Sequence, residues 1–222
     1  AIAASANING GAAAAALGVR EVSLLGYRDQ ALDDAEPREA TRRIVTHLRR
    51  VRPQVVLTFA PDGAYGHPDH VAICQLTTAA VVAATDPGFM LDGPDGALAS
   101  HAVSKLYYLA WPAASYSAYE EAFRKLVSQV DGVAREASPW PDWALSCVIE
   151  TRDHWATVWR AVSCHESQIT AFEKLSHLSP ASHEALWGWQ SFYRAFSSVN
   201  GGRAREHDLF AGLRAAGVED AQ

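Results

Sequence analysis

Val55-Val56-Leu57-Thr58-Phe59, the link Ala60–Tyr65, and Gly66-His67-Pro68-Asp69-His70 form the stretch that decides the fold class. The first run is apolar and rich in β-formers, the composition of a buried strand. An apolar run from Val71 to Ala84 follows, and a helix is expected over His70–Ala84. Two imidazoles and a carboxylate therefore stand where a strand ends and a helix begins. That is the usual place for a ligand site in an open α/β sheet. Pro68 suits the first helical turn, where its missing N–H costs nothing. His67 and His70 are three apart and can share one face of that turn.

Upstream, Pro37–Arg52 reads as a helix. Ala40, Ile44, Val45 and Leu48 form its inner face, and Arg42, Arg43, Arg49 and Arg50 lie outside. Pro53 stops it. Val19–Leu25 is a short apolar run expected to be a strand, and Gly26-Tyr27-Arg28-Asp29 a polar loop after it. The strand–helix–strand order implies a right-handed crossover. Residues 1–16 are Ala-rich without an amphipathic stripe; Ala12–Leu17 could close a helix at Gly18.

Downstream, residues 86–100 are a Gly-, Pro- and Asp-rich loop, and Lys105–Ala110 is a strand. Ser115–Val130 reads as an amphipathic helix carrying Phe123, Leu126 and Val130. Trp143–Glu150 is a further strand candidate. Asp153–Gln168 is expected to be helical, with Trp155, Val158, Trp159 and Val162 at core spacing. Ala185–Phe196 is another aromatic-rich stretch, and Asp208–Leu213 a short helix with Asp208 as N-cap.

The 222 residues are 49% hydrophobic, enough to bury a core, and read as one domain, 1–222. The balance of 25 acidic to 19 basic residues, with no basic stripe of interleaved aromatics, argues against nucleic acid as partner. No apolar run reaches membrane-spanning length. Cys74, Cys147 and Cys164 show no C-x-x-C pattern; an odd count in apolar segments suggests reduced thiols and a cytoplasmic location.

Several spaced blocks support a resemblance. Arg52-Pro53 to Val56, Thr58-Phe59, Pro61-Asp62-Gly63 and Tyr65–His70 are the strongest; His165-x-Ser167-Gln168 is weaker. With them the chain resembles the LmbE-like, or PIG-L, N-acetylglucosaminyl deacetylases, zinc enzymes that act on amino-sugar conjugates. The Gly26–Asp29 loop resembles that of the mycothiol-pathway branch. The resemblance implies an α/β fold with a Rossmann-like, mostly parallel sheet flanked by helices. In a family sheet of order 3-2-1-4-5, the strands at 19–25, 54–59 and 105–110 would take places 3, 4 and 5.

The family's second block, Ala-His-Pro-Asp-Asp-Glu, does not occur in this sequence. Two strands, a helix and their loops need on the order of 40–60 residues. The expectation is therefore a domain incomplete at its start, with the first strands missing. The alternative is a catalytically inactive sugar-binding or scaffold homologue.

The resemblance also implies roles. His70 would be a ligand of Zn2+; unaided, the residue could equally cap or pack. His67 would be the catalytic imidazole, and Asp69 would orient an imidazole or serve as a first-turn carboxylate. The Tyr65 hydroxyl would reach the oxyanion or wall the pocket; Asp62 would shape a turn. Arg28 and Asp29 would hold sugar or inositol hydroxyls, or be solvated. His165 and Gln168 would border the pocket or pack. The long 86–100 loop and Trp140-Pro141-Asp142-Trp143 could shape a larger pocket. The implied partner is a small-molecule amino-sugar conjugate, with self-association left open.

Overall fold

The computed structural model describes residues 8–122, 127–130, 132–165 and 173–214. Helix α1 (Ile8–Ala16) opens it. Gly18, at φ 68°, and Val19 return their N–H groups to Ala15 and Ala14, closing the helix as its glycine predicts. Helix α2 (Pro37–Val51) is capped by Glu36, whose carboxylate accepts the Arg38 and Glu39 amides, and ends where Arg52 turns left-handed. Strand β1 (Val55–Thr58) leads through a tight turn into α3 (Pro68–Thr85), with Pro68 in the first turn. Then follow β2 (Lys105–Leu109), α4 (Ala113–Ala122), β3 (Val127–Val130), β4 (Val133–Glu136) and β5 (Cys147–Glu150). The chain continues with α5 (Trp155–Ser163), the single turn α6 (Glu173–Ser176), α7 (Pro180–Trp187) and β6 (Trp189–Ser197).

The architecture is mixed α/β. The main sheet has the order β1-β2-β6-β5. β1 and β2 run parallel, joined by α3, with Val55 opposite Lys105. β6 runs antiparallel to both β2 and β5. The expected mostly parallel character is therefore corrected among the described residues: one ladder is parallel and two are antiparallel. The link from β5 to β6 runs through α5, α6 and α7, a length that permits either sense, and the two strands pair antiparallel.

The core lies between the sheet and the α2–α3 pair. Ala40, Ile44, Val45 and Leu48 of α2 meet Leu76, Ala80, Val81 and Ala84 of α3 over Leu106. Arg49, expected outside, is instead buried at 6% exposure. Its guanidinium donates to the carbonyls of Ala84, Asp86 and Phe89, satisfying acceptors left open at the end of α3.

Val19–Leu25 is not a strand. It has no ladder partner among the described residues, and Leu24 is 53% exposed. Without a neighbour, a β-type sequence has nothing to pair with. The expected strand–helix–strand unit at this point is lost with it. Ser115–Val130 is also corrected. The helix ends at Ala122, and Val127–Val130 pairs with Val133–Glu136 as a hairpin. The Asp131-Gly132 pair marks such a turn, and Gly132 sits at φ 75°. Phe123 and Leu126 lie outside the described residues. Trp143–Glu150 forms a strand only over Cys147–Glu150, and Trp143 is 85% exposed.

Asp208–Leu213 forms turns, not a helix; the Asp208 carboxylate accepts the Phe210 amide, a local bond that competes with helical ones. Helix α5 covers the first part of the expected Asp153–Gln168 helix. Trp155 and Trp159 pack on His183, a core role for that stripe. Ser167 and Gln168 lie outside the described residues. Cys74 and Cys147 are buried and Cys164 partly so, all three free. No described helix is long and apolar enough to cross a membrane.

Candidate active site

The turn between β1 and α3 carries the site. Asp62 builds it: one carboxylate oxygen accepts the Ala64 amide and the other the indole N–H of Trp140 at 2.9 Å. Gly63, Ala64 and Gly66 all have positive φ, at 62°, 66° and 73°. Gly63 has no alternative, because a Cβ there would lie 2.7 Å from the Val71 side chain. Ala64, with ψ −52°, is strained; such a conformation costs on the order of 1–3 kcal/mol and is characteristic of functional sites.

The turn presents Tyr65, His67 and His70 together. The imidazoles of His67 and His70 stack with centroids 4.6 Å apart. The Tyr65 ring stands edge-on to both, at 5.8 Å and 5.5 Å. Phe59, at the end of β1, lies flat on His70 at 3.8 Å. Phe59 was not among the candidate site residues; its place one step past the strand is the only signal the sequence carries for it.

Hydrogen bonds set the two tautomers. His70 Nδ1 lies 3.1 Å from the Gly63 carbonyl, which can only accept, so Nδ1 carries the proton and Nε2 keeps a lone pair. His67 is the N-cap of α3, and its Nδ1 accepts the Asp69 amide at 3.2 Å; its neutral ring then carries the proton on Nε2. Burial, then the charge of His67, pushes the His70 pKa down, against the Gly63 bond and the carboxylates of Asp69 and Asp29. Burial also raises the pKa of the Tyr65 hydroxyl, with Asp29 adding to the effect.

Among the described residues, the Asp69 carboxylate makes no hydrogen bond to an imidazole. Its carboxylate instead accepts the amides of Gln30 and Leu32, at 2.7 Å and 3.0 Å. That clamp holds the Gly26–Asp29 loop against the start of α3. Arg28 and Asp29 are exposed, and Asp29 lies close enough for its charge to act on both Tyr65 and His70. His165, at the end of α5, is half-buried. Tyr119 approaches from α4: its hydroxyl pKa is pushed up to about 12 by burial and then by Tyr65. With Trp111, 5.2 Å away ring to ring, it borders a cleft of about 140 Å³ that also includes Trp187, Trp189 and Gln190.

Among the described residues, no three His, Cys, Asp or Glu side chains converge as a metal ion would require. His70, with Nε2 unprotonated and Nδ1 held by a carbonyl, has the chemistry of a ligand with its orienting partner. The described residues thus form no coordination shell of three such side chains.

A family model described as GlcNAc-PI de-N-acetylase, PIG-L, matches residues 7–81. The chain is 33% identical over 198 residues to a 1D-myo-inositol 2-acetamido-2-deoxy-alpha-D-glucopyranoside deacetylase of Kineococcus radiotolerans, covering 83% of this chain and 53% of that protein. A deacetylase 2 of the same description from Catenulispora acidiphila is 31% identical, over 91% of this chain and 75% of its own length. The Rhodococcus opacus deacetylase is 36% identical, over 83% and 63%. The chain therefore spans about half the length of the Kineococcus relative and three quarters of the Catenulispora one. Among solved structures, the conserved protein TT1542 of Thermus thermophilus superposes with TM-score 0.57 at 21% identity, covering 87% of this chain and 74% of that one. GalB, a 4-carboxy-2-hydroxymuconate hydratase from Pseudomonas putida, gives 0.51 at 16%, covering 87% and 72%. These two likenesses concern the fold alone.

Proposed function

The chain belongs to the GlcNAc-PI de-N-acetylase family, and on that premise we propose that it is a metal-dependent N-deacetylase of an N-acetylglucosaminyl conjugate. The carrying observation is the pairing of His67 and His70 at the mouth of β1, with complementary tautomers fixed by backbone partners. The matched relatives' names describe a glucosaminyl-inositol, and that class is the first substrate to test.

Amide hydrolysis needs an activated water, a stabilised oxyanion and a protonated leaving amine. Zinc, when bound, lowers the pKa of water and polarises a carbonyl; His70 is the donor this chain offers it. His67 presents Nε2–H to a developing oxyanion; as the imidazolium, formed by taking a proton on Nδ1 at the expense of the Asp69 amide bond, it gives the Nε2 proton to the leaving nitrogen and returns to the neutral ring. Tyr65, held protonated by burial, donates its hydroxyl to the same oxygen. Arg28 and Asp29 hold hydroxyls of the conjugate, and Asp69 keeps their loop in place. The sheet is read as the Rossmann-like one of the family within a single domain. Three free cysteines support a cytoplasmic location.

The test is acetate release from N-acetylglucosaminyl-inositol by the zinc-supplied protein, before and after chelation. Zinc-dependent release supports the enzyme. A folded, zinc-supplied protein that binds the glycoside without releasing acetate would leave the scaffold reading instead.

A further inference from the structure

We propose that Asp62 and Trp140 are positioning residues for His70, and that they act on it through a single peptide unit, the one between Gly63 and Ala64. The proposal rests on the deacetylase reading above and names two further side chains on which that site depends.

The two polar ends of this peptide are held by different partners. Its N–H, from Ala64, donates to an Asp62 carboxylate oxygen at 3.1 Å. Its carbonyl, from Gly63, accepts His70 Nδ1–H at 3.1 Å. The plane so held is not the relaxed one, because Ala64 stands at φ 66° and ψ −52°. Turning the peptide over changes ψ of Gly63 and φ of Ala64 together. It would return Ala64 to the negative φ that an L-residue prefers. The same turn would carry the Ala64 N–H off Asp62 and the Gly63 carbonyl off His70. Asp62 therefore opposes the relaxation that would release the imidazole. A carboxylate on the N–H end also polarises the amide, which makes its carbonyl a stronger acceptor.

The turn alone would leave Asp62, an exposed residue, free to swing into water. Trp140 prevents this. Its indole N–H donates to the second carboxylate oxygen at 2.9 Å, across 78 residues of sequence. Trp140 is itself fixed at its backbone and at its ring. Its amide donates to the Trp111 carbonyl at 2.7 Å, beside a parallel bridge to Pro112. Its ring packs on Tyr193 of β6, with centroids 5.5 Å apart. The pair thus carries the position of the segment before β5 to an imidazole at the end of β1. The arrangement is that of a carboxylate orienting a ligand histidine, with a peptide placed between the two.

The experiment reads His70 by nitrogen NMR in the metal-free, 15N-histidine-labelled chain at about pH 8, its signals identified by their loss in His70→Gln. The parent should show His70 in the Nδ1–H form. Trp140→Phe keeps an aromatic ring and removes the N–H, and should move His70 toward the mixed tautomers of a solvated imidazole. Asp62→Asn should move it further, because the amide offers one acceptor to two donors, Ala64 and Trp140. Adding Trp140→Phe to Asp62→Asn removes the surplus donor and should return part of the Nδ1–H form, so the two changes are non-additive. Zinc affinity, by competition with a chelating dye, should fall roughly 10–100-fold in each single variant. A role confined to fold stability would lower Tm and leave tautomer and zinc affinity at parent values. That result overturns the proposal, as do additive effects in the pair or a parent His70 in the Nε2–H form. If Asp62→Asn does not fold, the tautomer in Trp140→Phe decides alone. A tautomer shift in a chain that releases no acetate from N-acetylglucosaminyl-inositol leaves the positioning pair standing and removes the enzyme. Zinc-dependent release with a tautomer that neither variant moves does the reverse.

Discussion

Asp69 accepts the backbone amide of Gln30 at 2.7 Å, across 39 residues of sequence. With the parallel bond to Leu32, it ties the loop bearing Arg28 and Asp29 to the first turn of α3. A carboxylate at that position is already favoured by the helix dipole. Here it also places the proposed hydroxyl-binding loop against the two imidazoles.

Asp69→Asn keeps one acceptor oxygen and loses the charge and the other. Charge-assisted bonds of this kind are worth about 1.5–3 kcal/mol. The expected outcome is a KM for N-acetylglucosaminyl-inositol raised by roughly tenfold or more, with a smaller fall in kcat. Steady-state kinetics check it. A loss confined to kcat would mean that Asp69 acts on an imidazole and not through the loop.

His70 and His67 should separate cleanly. His70→Ala removes the nitrogen whose lone pair is free, so zinc content and turnover should fall together. His67→Ala removes an Nε2–H donor, so zinc content should hold while kcat drops by about 10²–10³. Metal analysis alongside kinetics reads both. Zinc lost equally from the two variants would reassign His67 as a ligand.

Stability should fall on acidification, in part through His183. Burial pushes its pKa below the ordinary 6.5, against a bond that the ring donates to the Leu175 carbonyl, and its Nδ1 has no partner. In the native state the ring stays neutral, stacked 5.2 Å from Trp155 and 5.0 Å from Trp159. Below pH 6.5 the unfolded chain therefore binds a proton that the native one refuses. Stability is lost as pH falls from there toward the lowered native value, and levels off beneath it. His183→Phe should lose less Tm between pH 7 and pH 5 than the parent chain. Half-buried His47, also shifted down by desolvation and then by Arg50, keeps some slope in both. Identical pH slopes would exclude His183 as the group responsible.

A buried charge cluster holds the segment after β6. Lys105 Nζ, fully buried, donates to Glu206 at 2.6 Å, and Arg194 approaches the same carboxylate at 2.9 Å. Tyr107 and Asn200 complete the cage. Burial works to raise the Glu206 pKa, but the bonds from Lys105, Tyr107 and Asn200 hold it below the usual range. Glu206→Ala strands two cations and should cost about 3–5 kcal/mol in urea unfolding. Adding Lys105→Met should recover part of that. A loss under about 1 kcal/mol would show that water reaches the cluster.

The sequence by itself determined what depends on neighbours in the chain. The Val55–Phe59 run, Pro68 and the apolar Val71–Ala84 run placed a strand, a turn and a helix where they are, because side-chain period and capping act over a few residues. His67 and His70 share a face for the same reason. Tertiary structure decided the rest. Val19–Leu25 has the composition of a strand and is not one, because a ladder needs a second backbone. Arg49 is charged and buried, because α3 leaves carbonyls for it to satisfy. Asp69 turned to Gln30 and Leu32, and Asp62 received the Trp140 indole, through contacts between distant segments. Composition and spacing are local; which donor meets which acceptor depends on how the chain folds back on itself.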